Sequence, residues 1–143
     1  MAMKIDFCNE DVSYIVPQKR KIRFWLMSVI EQEQRQAGDI SCVFCSDDYL
    51  VKLNNQYLSA SYFTDVITFD YSKKNFISGD IFISVDRVKE NAKLYNQPYF
   101  REMCRVILHG ILHLCGYKDK TETQIQQMRE KEEYYLQKYE VND

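Results

Sequence analysis

Histidine is the residue to start from, because the chain has only 2 of them, His109 and His113. Four residues apart on a helix, the two imidazoles lie on one face. At that spacing they could bind one metal ion, as the paired histidines of zinc peptidase helices do. They could equally be two partly buried histidines with polar partners. The peptidase motif is excluded, because the residue after the first histidine is Gly110 rather than the glutamate that serves as general base. A glycine inside a helix costs about 0.5–1 kcal/mol relative to alanine, so Gly110 suggests a close approach to the helix. Gly116 then breaks the helix, and the turn Tyr117-Lys118-Asp119-Lys120 can fold Asp119 back toward the imidazoles as a third ligand.

The elements that must position these residues follow from periodicity. The most apolar helix spans Tyr99 to Leu114, with Phe100, Met103, Cys104, Ile107, Leu108, Ile111 and Leu112 at helical spacing. Before it, Lys4 to Cys8 reads as a first strand. A helix from Gln18 to Gln36 carries the stripe Ile22, Trp25, Leu26, Val29 and Ile30, with Ala37-Gly38 as its stop. Ile40 to Cys45 reads as a strand, and Ser46-Asp47-Asp48 caps a helix through Tyr49, Leu50, Leu53 and Tyr57. Ser59-Ala60-Ser61 loosens the chain. Thr64 to Tyr71 alternates as a strand, Ser72 to Ser78 is a polar turn, and Gly79-Asp80 opens a strand over Ile81 to Val85. Helices follow over Asp86 to Gln97 and, beyond the histidines, from Thr121 to Tyr139, the last read as a charged, solvated outer helix. The expected fold is α+β: one domain over residues 1–143, a mixed sheet of about four strands with about five surrounding helices. The metal site would lie on a helix of the C-terminal half.

Composition narrows the function. At 143 residues the chain has the size of one domain, and 4 Gly and 2 Pro exclude collagen-like or disordered character. Nineteen Lys+Arg against 21 Asp+Glu exclude a uniformly basic nucleic-acid binder, but not a local basic patch. The runs Lys19, Arg20, Lys21, Arg23 and, separately, Lys73, Lys74 are such patches, or simply solvated faces. Five cysteines in apolar stretches suggest reduced, buried thiols and a reducing compartment. Cys42 and Cys45 sit three apart on a strand and so point to opposite faces, which argues against a metal or redox pair. No signal-peptide or membrane-length apolar run is evident, so a cytoplasmic location is expected.

The run His109 to Asp119, HGILHLCGYKD, resembles the YbeY family of metal-dependent endoribonucleases, which mature ribosomal RNA in bacteria. Leu53-Asn54-Asn55-Gln56-Tyr57, Thr64-Asp65-Val66-Ile67-Thr68-Phe69 and Gly79-Asp80-Ile81 resemble three further motifs of that family, and Glu102 and Arg105 stand upstream of the histidines as in its members. The resemblance implies a mixed sheet with helices around a cleft. It implies a zinc site in which the family's third histidine is replaced by Asp119, a two-His-one-Asp set that could also take another divalent ion. It further implies that Leu58 stands where the family has a phosphate-holding arginine, a role that Arg105, Lys118 or Lys120 would have to fill. The expected activity is cleavage of an RNA phosphodiester by metal-activated water in ribosomal RNA maturation, with Arg105 assisting and with Asp65 and Asp80 as base or hydrogen-bonding groups. Expected partners are a ribosomal RNA precursor and the small subunit or assembly factors, with neither DNA nor membrane. The competing readings are a non-catalytic, metal-containing ribosome-assembly or RNA-binding factor and a metal-dependent peptide hydrolase. The missing glutamate argues against the latter.

Overall fold

A computed structural model describes residues 4–58 and 64–141. Its elements, in order, are β1 (Ile5–Asn9), α1 (Lys19–Gln32), β2 (Gln36–Cys45), α2 (Asp47–Leu58), β3 (Val66–Asp70), β4 (Phe76–Ser84), α3 (Val85–Leu94), α4 (Tyr99–Leu114) and α5 (Glu122–Val141). The four strands form one mixed sheet in the order β1-β2-β4-β3. β1 and β2 are parallel, as are β2 and β4, and β3 closes the edge antiparallel to β4. The expected α+β domain with four strands and five helices is what forms.

Strand alternation sorts the side chains into two layers. Ile40, Cys42 and Phe44 of β2 and Ile77, Ile81 and Ile83 of β4 face the main core, which α1, α4 and α5 cover. The opposite face carries Cys45 and Ile67, closed over by Leu50 of α2. Cys42 and Cys45 thus fall in different cores, and all five cysteines are free thiols.

Three boundaries differ from the periodicity reading. The first helix stops at Gln32 rather than Gln36: Gln34 adopts a left-handed φ of 62°, and Gln36 already pairs with Phe76. Ala37-Gly38 is therefore not the helix stop but part of β2, at a register shift between Ala37 and Ile40. The polar turn of residues 72–78 is shorter than expected, because its last residues, from Phe76, lengthen β4. The third helix ends at Leu94, where Asn96 turns left-handed before Pro98. Ser59-Ala60-Ser61 lies outside the described residues.

Candidate active site

Helix α4 supplies the frame of the site. It is buried along most of its length, and its apolar residues lock it onto the sheet. Gly110 explains how closely: a Cβ there would lie 2.6 Å from Ile81 Cγ2 on β4. The close approach signalled by this glycine is thus that of the sheet, not of a ligand. The helix ends in a Schellman motif. Gly116, at φ 109°, donates to the His113 carbonyl at 3.0 Å, and Tyr117 donates to the Leu112 carbonyl at 3.1 Å. This reversal returns the chain toward the histidine face. Helix α5 then starts at a reciprocal cap. Gln124 N–H donates to Thr121 Oγ1 at 3.1 Å, and Gln124 Oε1 accepts from Lys120 and Thr121 N–H.

The turn and the helix meet at a cavity of about 310 Å³. Arg105, His109 and His113 line it from α4, Asp119 from the turn, Asn54 from α2, and Asp65 with Thr68 from around β3. His109 is clasped on both ring nitrogens. Its Nδ1 meets Glu132 Oε2 of α5 at 2.7 Å, and its Nε2 meets Asp119 Oδ2 at 3.2 Å. Burial pulls this imidazole's pKa down, but Glu132, then Asp119 and Asp65, outweigh it and hold the ring above its ordinary value. His113 lines the same wall and makes no hydrogen bond or ion pair among the described residues.

Arg105 is not a free phosphate grip. Its Nε and Nη2 donate to both oxygens of Glu102 at 3.0 and 2.8 Å, and its Nη1 donates to Glu132 at 3.2 Å. Nη2 also lies 3.5 Å from Asp65. The guanidinium therefore braces three carboxylates. Asp65 Oδ2 additionally accepts from Asn91 at 3.1 Å. Asp80 is elsewhere: it accepts from Tyr71 Oη at 3.2 Å and does not line the cavity. Tyr117 donates to Glu33 at 2.8 Å and packs against the main core. Of the basic run on α1, Arg23 donates to the Ile5 carbonyl at 2.8 Å, and Lys21 lies over the Tyr139 ring at 4.6 Å.

The donor set suits a divalent cation on two counts. Ligands about 2.0–2.1 Å from a tetrahedral ion are about 3.3 Å apart, close to the 3.2 Å between Nε2 and Oδ2. Three carboxylates, Asp65, Glu102 and Glu132, gather around the guanidinium of Arg105 and a fourth, Asp119, meets His109, so among the described residues here carboxylates outnumber guanidinium groups. Among the described residues, no three His, Cys, Asp or Glu side chains stand together closely enough to hold a metal ion as they are placed.

Glu132 is the site residue that sequence reading missed. It is 3% exposed on a helix expected to be solvated. Its signal was present: with Met128, Tyr135, Leu136 and Tyr139, all buried, it occupies a helical stripe that is otherwise apolar.

The resemblance seen in the motifs extends over the whole fold. The sequence profile of the family described as Endoribonuclease YbeY matches residues 5–140. The chain belongs to that family. Among its relatives, the Endoribonuclease YbeY of Azobacteroides pseudotrichonymphae is 50% identical over 114 residues, covering 80% of this chain and 82% of that one. The Endoribonuclease YbeY of Christiangramia forsetii is 43% identical over 138 residues, covering 96% of each chain. The solution structure of TM1509 from Thermotoga maritima superposes with a TM-score of 0.66 at 25% identity, covering 94% of this chain and 88% of that one. Membership in the YbeY family thus rests on nearly the full length of the chain, from β1 into α5.

Proposed function

We propose that this chain is a metal-dependent endoribonuclease of ribosomal RNA maturation and that the cavity beside His109 is its active site. The observation that carries the reading is the double clasp on His109, with a buried carboxylate on Nδ1 and a loop carboxylate on Nε2. Glu132 accepts a hydrogen bond from Nδ1–H, which fixes the tautomer and turns the Nε2 lone pair to the cavity. His109, His113 and Asp119 would hold the metal. Zn²⁺ or a similar ion bound there supplies Lewis acidity and lowers the pKa of a water from 15.7 toward about 7. Arg105 holds Glu132, Glu102 and Asp65 in place. Both described contacts of Asp65 are to Oδ2, which leaves Oδ1 to accept a proton from an entering nucleophile. The substrate is a ribosomal RNA precursor, met in the cytoplasm on the small subunit or with assembly factors. No helix is long and apolar enough to cross a membrane among the described residues.

Cleavage of a ribosomal RNA precursor by the purified protein tests this. Activity should vanish on chelation and return with added Zn²⁺, and His109→Ala should show neither bound metal nor cleavage. Cutting that continues unchanged in chelator would sink the metal assignment. One observation favours a second reading, a metal-containing factor that binds RNA without cutting it. Among the described residues the one guanidinium lining the cavity, that of Arg105, is already clamped by carboxylates. Tight RNA binding with no cleavage under any divalent ion would select that reading.

A further inference from the structure

Two hollows lie beyond the turn that bounds the cavity. The first, about 560 Å³, lies behind the turn that carries Asp119 and is lined by Arg35, Gly116, Lys118 and Gln127. The second, about 580 Å³, shares Arg35 with it and runs past Met27 to Phe76 and Lys4. Asp119 lines the cavity and Lys118, one residue earlier in the same turn, lines the first hollow, so a strand crossing this turn would pass from the cavity to the first hollow and, past Arg35, to the second.

Three cations on this path are uncommitted. The side chains of Arg35, Lys118 and Lys4 make no hydrogen bond or ion pair among the described residues. Phe76 is 50% exposed and has no ring partner among them. Of the two carboxylates that line these hollows, Glu33 is spent on Tyr117, Tyr135 and Lys131, and Glu31 lines the second hollow beside Lys4 and Arg35. The other hollow beside the cavity, lined by Tyr95, Arg101 and Arg129, has the opposite balance. There Arg101 is already paired with Glu133 and Glu140, and Arg105 with Glu102 and Glu132. Free cations at intervals with an exposed ring among them are what a single strand needs, phosphates on the cations and a base on the ring.

We propose that single-stranded RNA leaves the cleavage cavity along this path, with phosphates on Lys118 and Arg35 and a base stacked on Phe76. This rests on the endoribonuclease reading for the direction of the strand, but its test does not require cleavage. Binding of a fluorescein-labelled single-stranded RNA of about 12 nucleotides, a length within the usual range of single-strand sites, would be followed by anisotropy on ice, before turnover. A companion strand of about three nucleotides, too short to leave the cavity, serves as control. Arg35→Gln should weaken the long strand severalfold and lower the slope of log affinity against log salt by about 0.7. Phe76→Ala should weaken it by roughly fivefold or more with the salt slope unchanged. Neither should alter the short strand, and Arg20→Gln, on the exposed side of α1, should alter nothing. Equal binding of the long strand by wild type, Arg35→Gln and Phe76→Ala would overturn the path. So would a loss confined to Arg20→Gln, which would place the strand on the other basic run. Wild-type binding without cleavage of any precursor would instead remove the nuclease reading and leave the path standing.

Discussion

Two carboxylates hold the same imidazole, and they differ in almost everything else. Glu132 reaches His109 Nδ1 from the middle of α5, its side chain is 4% exposed, and it also accepts from Arg105. Asp119 reaches Nε2 from a turn, its side chain is 46% exposed, and it has no second partner among the described residues. A buried carboxylate with two cationic or polar partners is part of the scaffold, because removing it leaves their charge uncompensated in a poor solvent. A half-exposed carboxylate on a turn is solvated whether or not it touches the ring, so the fold loses little without it. The comparison assigns stability to one side of the ring and reactivity to the other. It can be broken by measuring stability.

The largest effect is expected at Glu132. Glu132→Ala should lower unfolding stability by about 3 kcal/mol, read from denaturant midpoints at constant slope. Glu132→Gln should cost less, since its amide oxygen still accepts from Nδ1 and Arg105 keeps both bonds to Glu102. A cost for Glu132→Ala no greater than that of Asp119→Ala would end the distinction. Gly110→Ala comes next. Its Cβ would press on Ile81, itself fully buried, which typically costs about 1–3 kcal/mol, while alanine returns up to about 1 through helix propensity. A net loss of about 1 kcal/mol is expected, and a gain would show that α4 does not need its close seat on β4.

The legibility of these two positions in the sequence differs for a physical reason. Histidines are rare here and sit at i and i+4, so type and spacing alone marked α4. Its limits, Tyr99 and Leu114, follow from an unbroken apolar stripe between Pro98 and Gly116. Asp119 was legible because Gly116 announces a reversal only a few residues earlier. Glu132 is remote in sequence, and on a helix rich in Glu and Gln one more acid carries no signal until the stripe through Met128, Tyr135 and Tyr139 is drawn around it. The boundary at Gln32 was illegible for a related reason. Gln34 has no glycine to mark its left-handed turn, and only pairing with the distant β4 draws Gln36 into the sheet. Periodicity reports a helix or strand, whereas these features depend on partners supplied by another part of the chain.

A smaller effect sits at the hinge between the two sides. Thr121 caps α5 and so fixes where the turn carrying Asp119 ends. Thr121→Ala should cost about 1 kcal/mol of stability. Since this cap, the reciprocal Gln124 bonds and the Ile125 N–H bond to the Thr121 carbonyl tie the turn to α5, metal affinity should fall along with it. A variant with lowered stability and unaltered metal affinity would show that the Schellman turn alone positions Asp119.

The smallest stability effect should come from Asp119 itself. Asp119→Ala removes a half-exposed side chain from a turn, and a change within about 0.5 kcal/mol is expected without metal. With Zn²⁺ in excess the wild type should gain stability by mass action, by about 2.7 kcal/mol at a hundred times the dissociation constant, while Asp119→Ala gains less at the same concentration. Asp119→His, which supplies a nitrogen donor from the same turn, should recover that gain, whereas Asp119→Asn, isosteric but uncharged, should not recover it fully. If Asp119→Ala matches wild type in both the presence and the absence of metal, the carboxylate on Nε2 is only a hydrogen-bond partner, and the third ligand lies elsewhere. If instead the metal-free protein is strongly destabilised, Asp119 belongs to the scaffold with Glu132, and the two sides of His109 are not different in kind.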